Sequence, residues 1–456
     1  MRKTLLLAIT LLLTAGAVFA QENVKRNQYG VAVNSDVLDV EAQDGITVFE
    51  SQKSGYKFWF DGRAQVDGAV FFGKNSKDYD QIGNGVSIRR ARFAVKAQVT
   101  NKWYGEFDMD LANGLVELKD AIVRYTGVKN LELQAGNFKE NFSMQRNTSS
   151  RYLMFMERPM VTSALAPSRH LGINAKYANK WFWGSIGAFS QEVAGSEEWT
   201  NVADNNKDYG RDAGYSITSK IVFRPLYKLQ DASLHIGFAA SYRRALTSVE
   251  PSAWGMYRAS ARNSTSINRK KYLDTDNLPG FDHNWLWTVE LAGHWQGLRY
   301  EMAWIGDNVH FKKSAADHAV KNFGGGYIQS SYLLCGGSQR YDANGGKYTK
   351  IRYGRKWGDL EIAGRYEYCD LNSKTIYGGS AEAYTIGLNW WIYNNVKFMI
   401  NYQHNNNDRY ANGKGKLLVG HDADGKPTKD YTQVVEKKGK AGVDYNMLSV
   451  RIEINF

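Results

Sequence analysis

The last nine residues, Leu448–Phe456, alternate apolar and polar side chains without a break and end on an aromatic residue. Successive side chains of a β-strand point to opposite faces, so every second residue from Leu448 to Phe456 shares one apolar face. A soluble β-protein can also end in this way. The same pattern is typical of a strand that separates lipid from a wet interior, so the rest of the chain must decide between the two.

The amino-terminal residues predict export from the cytoplasm. Arg2 and Lys3 precede an apolar run at 5–13, and small residues lie just before Gln21, so residues 1–20 are predicted to be a signal peptide. No later segment approaches the roughly 20 apolar residues that a membrane helix needs. If the exported chain crosses a bilayer, a closed barrel is the fold left to it. We expect a periplasmic lead-in at 21–54, without sustained strand alternation, and a barrel domain at 55–456.

Composition agrees with a barrel in the outer membrane. Aromatic residues make up 13% of the chain, including 28 Tyr and 13 Trp, which suits aromatic belts around a polar interior. The formal net charge of +12 favours anionic partners, such as lipid phosphates or small anionic solutes. Two cysteines are too few for a disulfide framework.

From residue 56 onward the chain divides into segments with the two-residue period of strands, and the fold class predicted is all-β: a 16-stranded antiparallel transmembrane β-barrel. The predicted strands are 56–72, 86–100, 103–112, 117–126, 131–139, 170–178, 181–190, 215–224, 233–243, 284–294, 297–306, 326–335, 357–369, 382–392, 396–404 and 445–456.

Connection lengths support this count, because outer-membrane barrels alternate short periplasmic turns with long external loops. The connection at 336–356 is the exception, since it is long where a short turn is expected. This connection is either an insert in the periplasm or lumen, or a sign that the predicted number of strands is wrong at this point. The same register places Cys335 and Cys369 at opposite rims, too far apart for a disulfide.

Sixteen strands enclose a cylinder too wide for side chains to fill, so the sequence predicts a water-filled channel. Acidic and basic side chains on the predicted inner faces nearly cancel, which indicates a wall held by ion pairs. The segment 140–169 carries an apolar run at 152–156 that is unsuited to an exposed loop, so we expect it to fold inward as a constriction. A second basic loop lies at 244–283.

Rings of arginine and lysine are the usual device of anion pores. In these two loops they could also face lipopolysaccharide phosphates or solvent at the outer rim. The residues predicted to line the pore and bind anions are Arg90, Arg92, Lys96, Lys139, Arg146, Arg151, Arg158, Arg169, Arg258 and Arg262.

Several motifs, taken together, resemble the phosphate-selective porin O/P family. They are Ile88-Arg-Arg-Ala-Arg-Phe93, Leu118-Lys-Asp-Ala121, Gly136-Asn-Phe-Lys139, Arg169-His-Leu-Gly172 and Gly387-Leu-Asn-Trp-Trp391. The resemblance implies a homotrimeric porin in the outer membrane of a Gram-negative bacterium, with an arginine ladder that guides anions to a phosphate site. The chain departs from that pattern at Arg258 and Arg262, which are four residues apart, and at Cys335, where the family usually has threonine.

Other functions remain as alternatives or are disfavoured. A general, weakly selective porin and a surface adhesin that uses the loops at 191–214 and 405–444 stay open. A hydrolase is disfavoured because the histidines lack HExxH spacing and no G-x-S-x-G occurs. The calcium-like run from Asp108 has Lys119 at its twelfth position, where a glutamate is needed. We expect no cofactor or metal, and outer-membrane lipid and lipopolysaccharide rather than nucleic acid as macromolecular partners.

Overall fold

The computed structural model describes residues 25–33, 36–43, 45–73, 79–190, 192–193, 214–244, 255–392, 395–411, 415–437 and 441–456. The predicted signal peptide lies outside these residues, as do parts of the loops at 191–214, 244–283 and 405–444. In the described part of the chain, no helix has the length and apolar character required to cross a membrane.

Most of the regular secondary structure is β-strand. The strands are β1 (Leu38–Gln43), β2 (Ile46–Ser51), β3 (Lys57–Gly73), β4 (Gly85–Gln98), β5 (Trp103–Asp110), β6 (Glu117–Val128), β7 (Leu131–Lys139), β8 (Arg169–Ala178), β9 (Phe182–Phe189), β10 (Tyr215–Phe223), β11 (Ala232–Arg244), β12 (Ser260–Ala261), β13 (Leu273–Asp274), β14 (Phe281–Trp295), β15 (Leu298–Phe311), β16 (Lys321–Leu333), β17 (Tyr341–Asp342), β18 (Lys347–Tyr348), β19 (Gly358–Ser373), β20 (Ile376–Ile392), β21 (Val396–Asn407), β22 (Gly420–His421), β23 (Pro427–Thr428) and β24 (Tyr445–Asn455).

Sixteen of these strands form a closed antiparallel barrel. Each barrel strand pairs with its neighbour in the chain, and β24 returns to pair with β3 from Tyr445↔Gly73 to Asn455↔Arg63. All sixteen predicted strands are present, and the predicted fold class is confirmed. Some extend further than predicted at their outer ends: β15 reaches Phe311 and β20 begins at Ile376.

The last strand shows why the alternating pattern was informative. Leu448, Val450 and Ile452 face outward and are 40–53% exposed, whereas the Arg451 side chain between them is inside the barrel and 1% exposed. A strand with lipid on one side and polar neighbours on the other requires this arrangement. Arg451 pairs with Asp67 of β3, its neighbour across the strand pair, at 2.6 Å between Nε and Oδ1.

Two features lie outside the pattern of simple hairpins. A short hairpin, β1–β2, continues the sheet beyond the barrel through Val48↔Trp59, within the predicted lead-in, and the sequence pattern did not predict it. The long connection at 336–356 contains β17 and β18 and packs inside the barrel. It is therefore an insert, and the predicted number of barrel strands is correct. Cys335 and Cys369 are both free thiols.

The insert fills part of the lumen at its periplasmic end. Tyr341 hydrogen-bonds the inward-facing His235 at 2.6 Å, and the Arg299 guanidinium lies 3.8 Å from the centre of the Tyr348 ring. The Trp183 indole donates to the Asn344 carbonyl at 2.8 Å. These contacts fix the insert against the wall formed by β9–β15.

Candidate functional site

The segment 140–169, called the constriction loop below, enters the lumen after β7. It contains a short helix at Met144–Asn147, a 3-10 turn at Ser150–Tyr152 and a second helix at Met160–Leu165. The apolar run predicted to rest on the inner wall does so, since Leu153, Met154 and Phe155 are at most 2% exposed. The predicted inward-folded constriction is therefore confirmed.

The apolar residues of the constriction loop pack on one side of the barrel. Its helix residues Met160 and Val161 share an apolar cluster with Leu286 of β14, Ile305 of β15 and Phe323 of β16. Burial of these side chains stabilises the loop by roughly 1.5–3 kcal/mol for each large residue. The loop packs against the wall of β14–β24, whereas it reaches the wall of β3–β9 through polar contacts such as Arg151–Asp61 and Glu157–Arg89, with cavities left between them.

Inward-facing side chains of the packed wall hold the loop by its backbone carbonyls. Lys397 donates to the Leu153 carbonyl at 2.8 Å, Arg365 to that of Glu157 at 2.8 Å and Arg299 to that of Tyr152 at 3.0 Å. Because these cations are engaged by the loop, they are removed from the solute path. These three cations of the wall therefore have a structural role that the sequence does not reveal.

Two adjoining cavities run between the constriction loop and the wall of β3–β9. The outer one is lined by eight basic residues and three acidic ones, namely Arg89, Arg90, Arg92, Lys119, Lys139, Arg146, Arg158 and Arg169 with Asp110, Glu117 and Glu157. The inner one is lined by nine basic and five acidic residues, namely Arg63, Arg92, Lys96, Arg124, Lys139, Arg151, Arg169, Lys176 and Lys347 with Asp61, Glu106, Asp108, Asp120 and Glu132. Basic residues are in excess throughout.

Arg92, Lys139 and Arg169 line both cavities and mark the junction between them. Arg92 pairs with Asp110 at 3.0 Å, and Arg169 pairs with Asp120 at 2.6 Å. Among the described residues, no carboxylate oxygen lies within 4.0 Å of the Lys139 ammonium. Lys139 is thus the junction residue without an ion-pair partner among the described residues.

Two arginines of the constriction loop also make no ion pair within 4.0 Å among the described residues, although Glu192 attracts Arg146 and Glu157 attracts Arg158 from farther away. Arg146 donates to the carbonyls of Thr162 and Ala166, both at 3.0 Å, and Arg158 donates to those of Gln145 at 2.6 Å and Thr148 at 2.8 Å. Carbonyl groups satisfy the donors but leave the positive charge in place.

The surroundings of these two arginines disfavour their charge without removing it. Burial lowers the pKa of Arg146 to about 10. Burial and the neighbouring charge of Arg146 lower the pKa of Arg158 to about 9, so both groups stay charged at neutral pH. An anion that passes close to a buried cation without an ion-pair partner stabilises the charged form of that cation.

Glu157 is the acidic centre of the outer cavity. Its carboxylate accepts from Arg89 at 2.6 and 3.0 Å, accepts from Arg451 at 3.0 Å and lies 3.8 Å from Arg90. Burial alone would raise the pKa of this carboxyl, but the charges of Arg89, Arg90 and Arg451 hold it well below its usual range. One carboxylate therefore faces three guanidinium groups.

Arg89 was missed by sequence reasoning because a β-bulge changes its direction. The register between β3 and β4 shifts between Gln65↔Arg90 and Val66↔Ile88, so Arg89 has no cross-strand partner. Strict alternation would aim it at lipid, whereas the extra residue of a bulge re-aims a side chain. Neighbouring Arg89 and Arg90 consequently both contact Glu157 inside the barrel.

The remaining predicted residues take different places. Lys96 and Arg151 both pair with Asp61 in the inner cavity. Arg262 lies near Arg89 at the outer entrance, where burial and the charge of Arg269 lower its pKa.

Arg258 does not join this set. It pairs with Asp274 at 2.9 Å within its own loop, its side chain is 40% exposed, and it lines neither of the two cavities. Ser264, which follows later in the same loop, contacts the constriction loop by donating to the Arg158 carbonyl at 3.2 Å.

The inner cavity also holds the group of carboxylates that comes closest to a metal site in the described residues. Glu106, Asp108 and Asp120 have oxygens within 4.8 Å of one another. Arg92 lies 3.6 Å from Asp108, and Lys96 lies 3.5 Å from Glu106. These cations already compensate the carboxylates, so we assign no ion to the group.

Comparisons with known proteins agree with this architecture. A family model described as phosphate-selective porin O and P matches residues 58–424. Porin O of Pseudomonas aeruginosa is 22% identical over 426 residues, covering 86% of this chain and 93% of that protein. An uncharacterized protein of Caulobacter vibrioides is 27% identical over 352 residues, covering 75% of this chain and 67% of that protein.

Solved porin structures share the fold at low sequence identity. The trimer form of OmpT from Vibrio cholerae gives a TM-score of 0.51 at 11% identity, covering 88% of this chain and 99% of OmpT. An anion-selective porin from Comamonas acidovorans gives a TM-score of 0.50 at 10% identity, covering 88% of this chain and all of that porin.

Proposed function

The chain belongs to the phosphate-selective porin O and P family, and we propose that it prefers anions among the small solutes that diffuse through it. It is a porin of the outer membrane of a Gram-negative bacterium. Members of this family are channels, so the function to be explained is the permeation of solutes. The observation that carries the proposal is the set of cations that make no ion pair among the described residues, Lys139, Arg146 and Arg158, on the open side of the constriction loop.

The geometry supports a one-sided path for anions. Cations on the packed wall hold the constriction loop, whereas those on the open wall line the cavities. Arg262 supplies positive charge at the entrance. Further inward lie Lys139, Arg146 and Arg158, which make no ion pair in the described part of the chain, together with Arg90, Arg92, Lys96, Arg151 and Arg169. Guanidinium groups present planar donors that match phosphate and carboxylate, so small phosphates and carboxylates are the solutes that we propose.

A weakly selective porin remains the second candidate, because many wall charges are paired. Lys176 pairs with Glu132 at 2.8 Å, and Arg124 lies 3.3 Å from the same carboxylate. Paired charges create little net field, so selectivity must come from these three cations without ion-pair partners, Lys139, Arg146 and Arg158. The adhesin alternative depends on loops that are only partly described, and membership of a porin family favours the channel.

We further propose a homotrimer whose outer surface contacts lipid and lipopolysaccharide. A relative of the same fold, OmpT, is described in a trimer form. An exposed apolar belt on a closed barrel is suited to contact with both lipid and neighbouring barrels. Migration of the unheated protein at three times the monomer mass would support the trimer, and migration as a monomer after mild extraction would contradict it.

Liposome swelling tests the proposed preference. Gluconate and glucosamine have the same carbon number and opposite charge at neutral pH. Proteoliposomes should swell faster in gluconate, because the cations at the junction attract it and repel glucosamine. Equal swelling rates would favour the weakly selective porin. If the proteoliposomes swelled in neither solute, the result would contradict a channel altogether.

A further inference from the structure

A row of polar side chains crosses the outer surface of the barrel near its extracellular rim. The strand register places Tyr215 beside Arg244, Arg244 beside His283, and His283 beside His310, on four consecutive barrel strands. Arg243 points into the lumen and pairs with Glu140 at 2.8 Å, so its neighbour Arg244 points outward. The four side chains therefore stand side by side on the face that meets the membrane.

The level of this row is fixed by the aromatic residues below it. Tyr242 and Trp285 form the next outward row toward the membrane, with ring centres 4.9 Å apart, and Trp285 is 49% exposed. Trp287 and Trp304 continue this outward aromatic surface and are 40% and 48% exposed. Such aromatic girdles lie at the level of the lipid headgroups, so the polar row lies where headgroup phosphates are found.

The side chains of the row are held close together and present hydrogen-bond donors. The His283 and His310 rings are stacked, with centres 4.4 Å apart and planes at 7°. Asp282 accepts from His283 at 2.8 Å and lies 3.8 Å from Arg244, so it holds both side chains in the row. His310 donates at least one N–H in either protonation state, and the Arg244 guanidinium offers five donors. The Nδ1–H of His283 donates to Asp282, so His283 offers a further N–H only when it is protonated. Lys312 follows β15 directly and adds positive charge at this height.

The neighbouring part of the rim, on β19 and β20, has a different character. There the outward side chains include Glu382, which accepts from Tyr366 at 2.9 Å, and Asp370, which accepts from Tyr368 at 3.2 Å. These acidic groups would repel a phosphate. The row on β10–β15 carries Arg244 and Lys312 against the single carboxylate of Asp282, whereas the neighbouring stretch presents the carboxylates of Glu382 and Asp370.

We propose that the row of Tyr215, Arg244, His283 and His310, named the rim row, binds the headgroup phosphates of a phosphorylated glycolipid of the outer leaflet. Neighbouring side chains across paired strands are about 5 Å apart, so four of them span roughly 15 Å. This width exceeds that of one phosphate and suits a disaccharide headgroup that carries a phosphate at each end. Arg244 and Lys312 outnumber the carboxylate of Asp282, so the row has a net positive charge that suits a phosphate. The row faces lipid rather than the pore, so the site is separate from permeation, and it rests on the proposed contact of the outer surface with lipopolysaccharide.

Native mass spectrometry of the purified protein tests the proposal. The probes are lipid A with both phosphates and the same lipid with both phosphates removed. The variant R244A/H283A/H310A should lose adducts of the phosphorylated lipid by at least tenfold, while all proteins bind the dephosphorylated lipid weakly and equally. His404→Ala is the matched control, because His404 is an outward-facing histidine on another barrel strand and hydrogen-bonds Asn446 instead. It should bind the phosphorylated lipid as the unmodified protein does.

Two outcomes would overturn the proposal: retention of the phosphorylated lipid by the triple variant, or an equal loss in the His404→Ala control. Single-channel conductance should be unchanged in every variant, which shows that the barrel is folded and separates this site from the pore. If the triple variant fails to assemble, Arg244→Gln alone should still lower adduct abundance about threefold, and no change in that variant would contradict the assignment.

Discussion

Neutralising Lys139 should weaken anion preference more than any other single change at the junction, because its charge has no carboxylate partner within 4.0 Å. In Lys139→Gln the side chain stays polar and of similar length, so the wall is retained while one charge is lost. Lys139 lines both cavities, and every solute on this path passes it. The variant therefore tests the path and the electrostatics together.

Coulomb's law sets the size of the effect. A unit charge about 6 Å from a monovalent anion contributes roughly 0.7 kcal/mol in bulk water and about 3 kcal/mol at an effective dielectric constant of 20. The lower figure corresponds to about a threefold change in permeability and the higher one to about a hundredfold change. A water-filled cavity lies closer to the first limit, so we expect the chloride-to-potassium permeability ratio to fall at least about threefold.

The assay is the zero-current potential in planar bilayers across a potassium chloride gradient. Lys139→Arg keeps the charge and should keep the ratio, whereas Lys139→Glu should lower it further than Lys139→Gln. Arg258→Gln is the control outside the path, because Arg258 is paired with Asp274 and lines neither cavity. The reasoning is refuted if Lys139→Gln leaves the ratio unchanged, or if Arg258→Gln shifts it as much.

Three further predictions follow from the contacts of the constriction loop. Arg451→Met leaves the buried Asp67 carboxylate without its partner and should lower the free energy of unfolding by about 3 kcal/mol, measured by denaturant titration in lipid vesicles; unchanged stability would contradict the buried pair. Burial would raise the pKa of Glu140, but Arg243 and His170 hold it at about 2. Its stabilising effect is therefore complete above about pH 4.5 and lost as the pH falls toward 2, so the thermal midpoint should drop across this range and drop less in Glu140→Gln. Glu157→Gln removes a negative charge from the outer cavity and should raise the chloride-to-potassium ratio about threefold; a lower ratio would show that this carboxylate is needed to hold the arginines in place.

Much of the fold was predictable because lipid and water impose a period that the sequence must carry. Residues such as Val450 and Arg451 cannot exchange sides, so the strand and its register follow from their alternation. The apolar run at 152–156 likewise predicted burial of the constriction loop, since exposed side chains of this kind are costly. Periodicity and burial together accounted for the sixteen strands and for the inward loop.

The arrangement of charge was less predictable, because it depends on contacts between segments distant in the chain. Lys397 and Arg365 have the same pattern as the pore-lining arginines, yet they hold loop carbonyls. Arg89 required knowledge of a bulge, and Arg258 required knowledge of its pairing with Asp274. The length of the 336–356 connection was the available signal that Lys347 reaches the inner cavity.

The central claim is that basic residues on the open side of the constriction loop give this porin a preference for anions. The most direct test is the zero-current potential of the unmodified protein under a tenfold potassium chloride gradient at neutral pH. The account predicts a potential of the sign set by chloride, with chloride permeating faster than potassium. A potential of the opposite sign would show that potassium permeates faster and would contradict the claim.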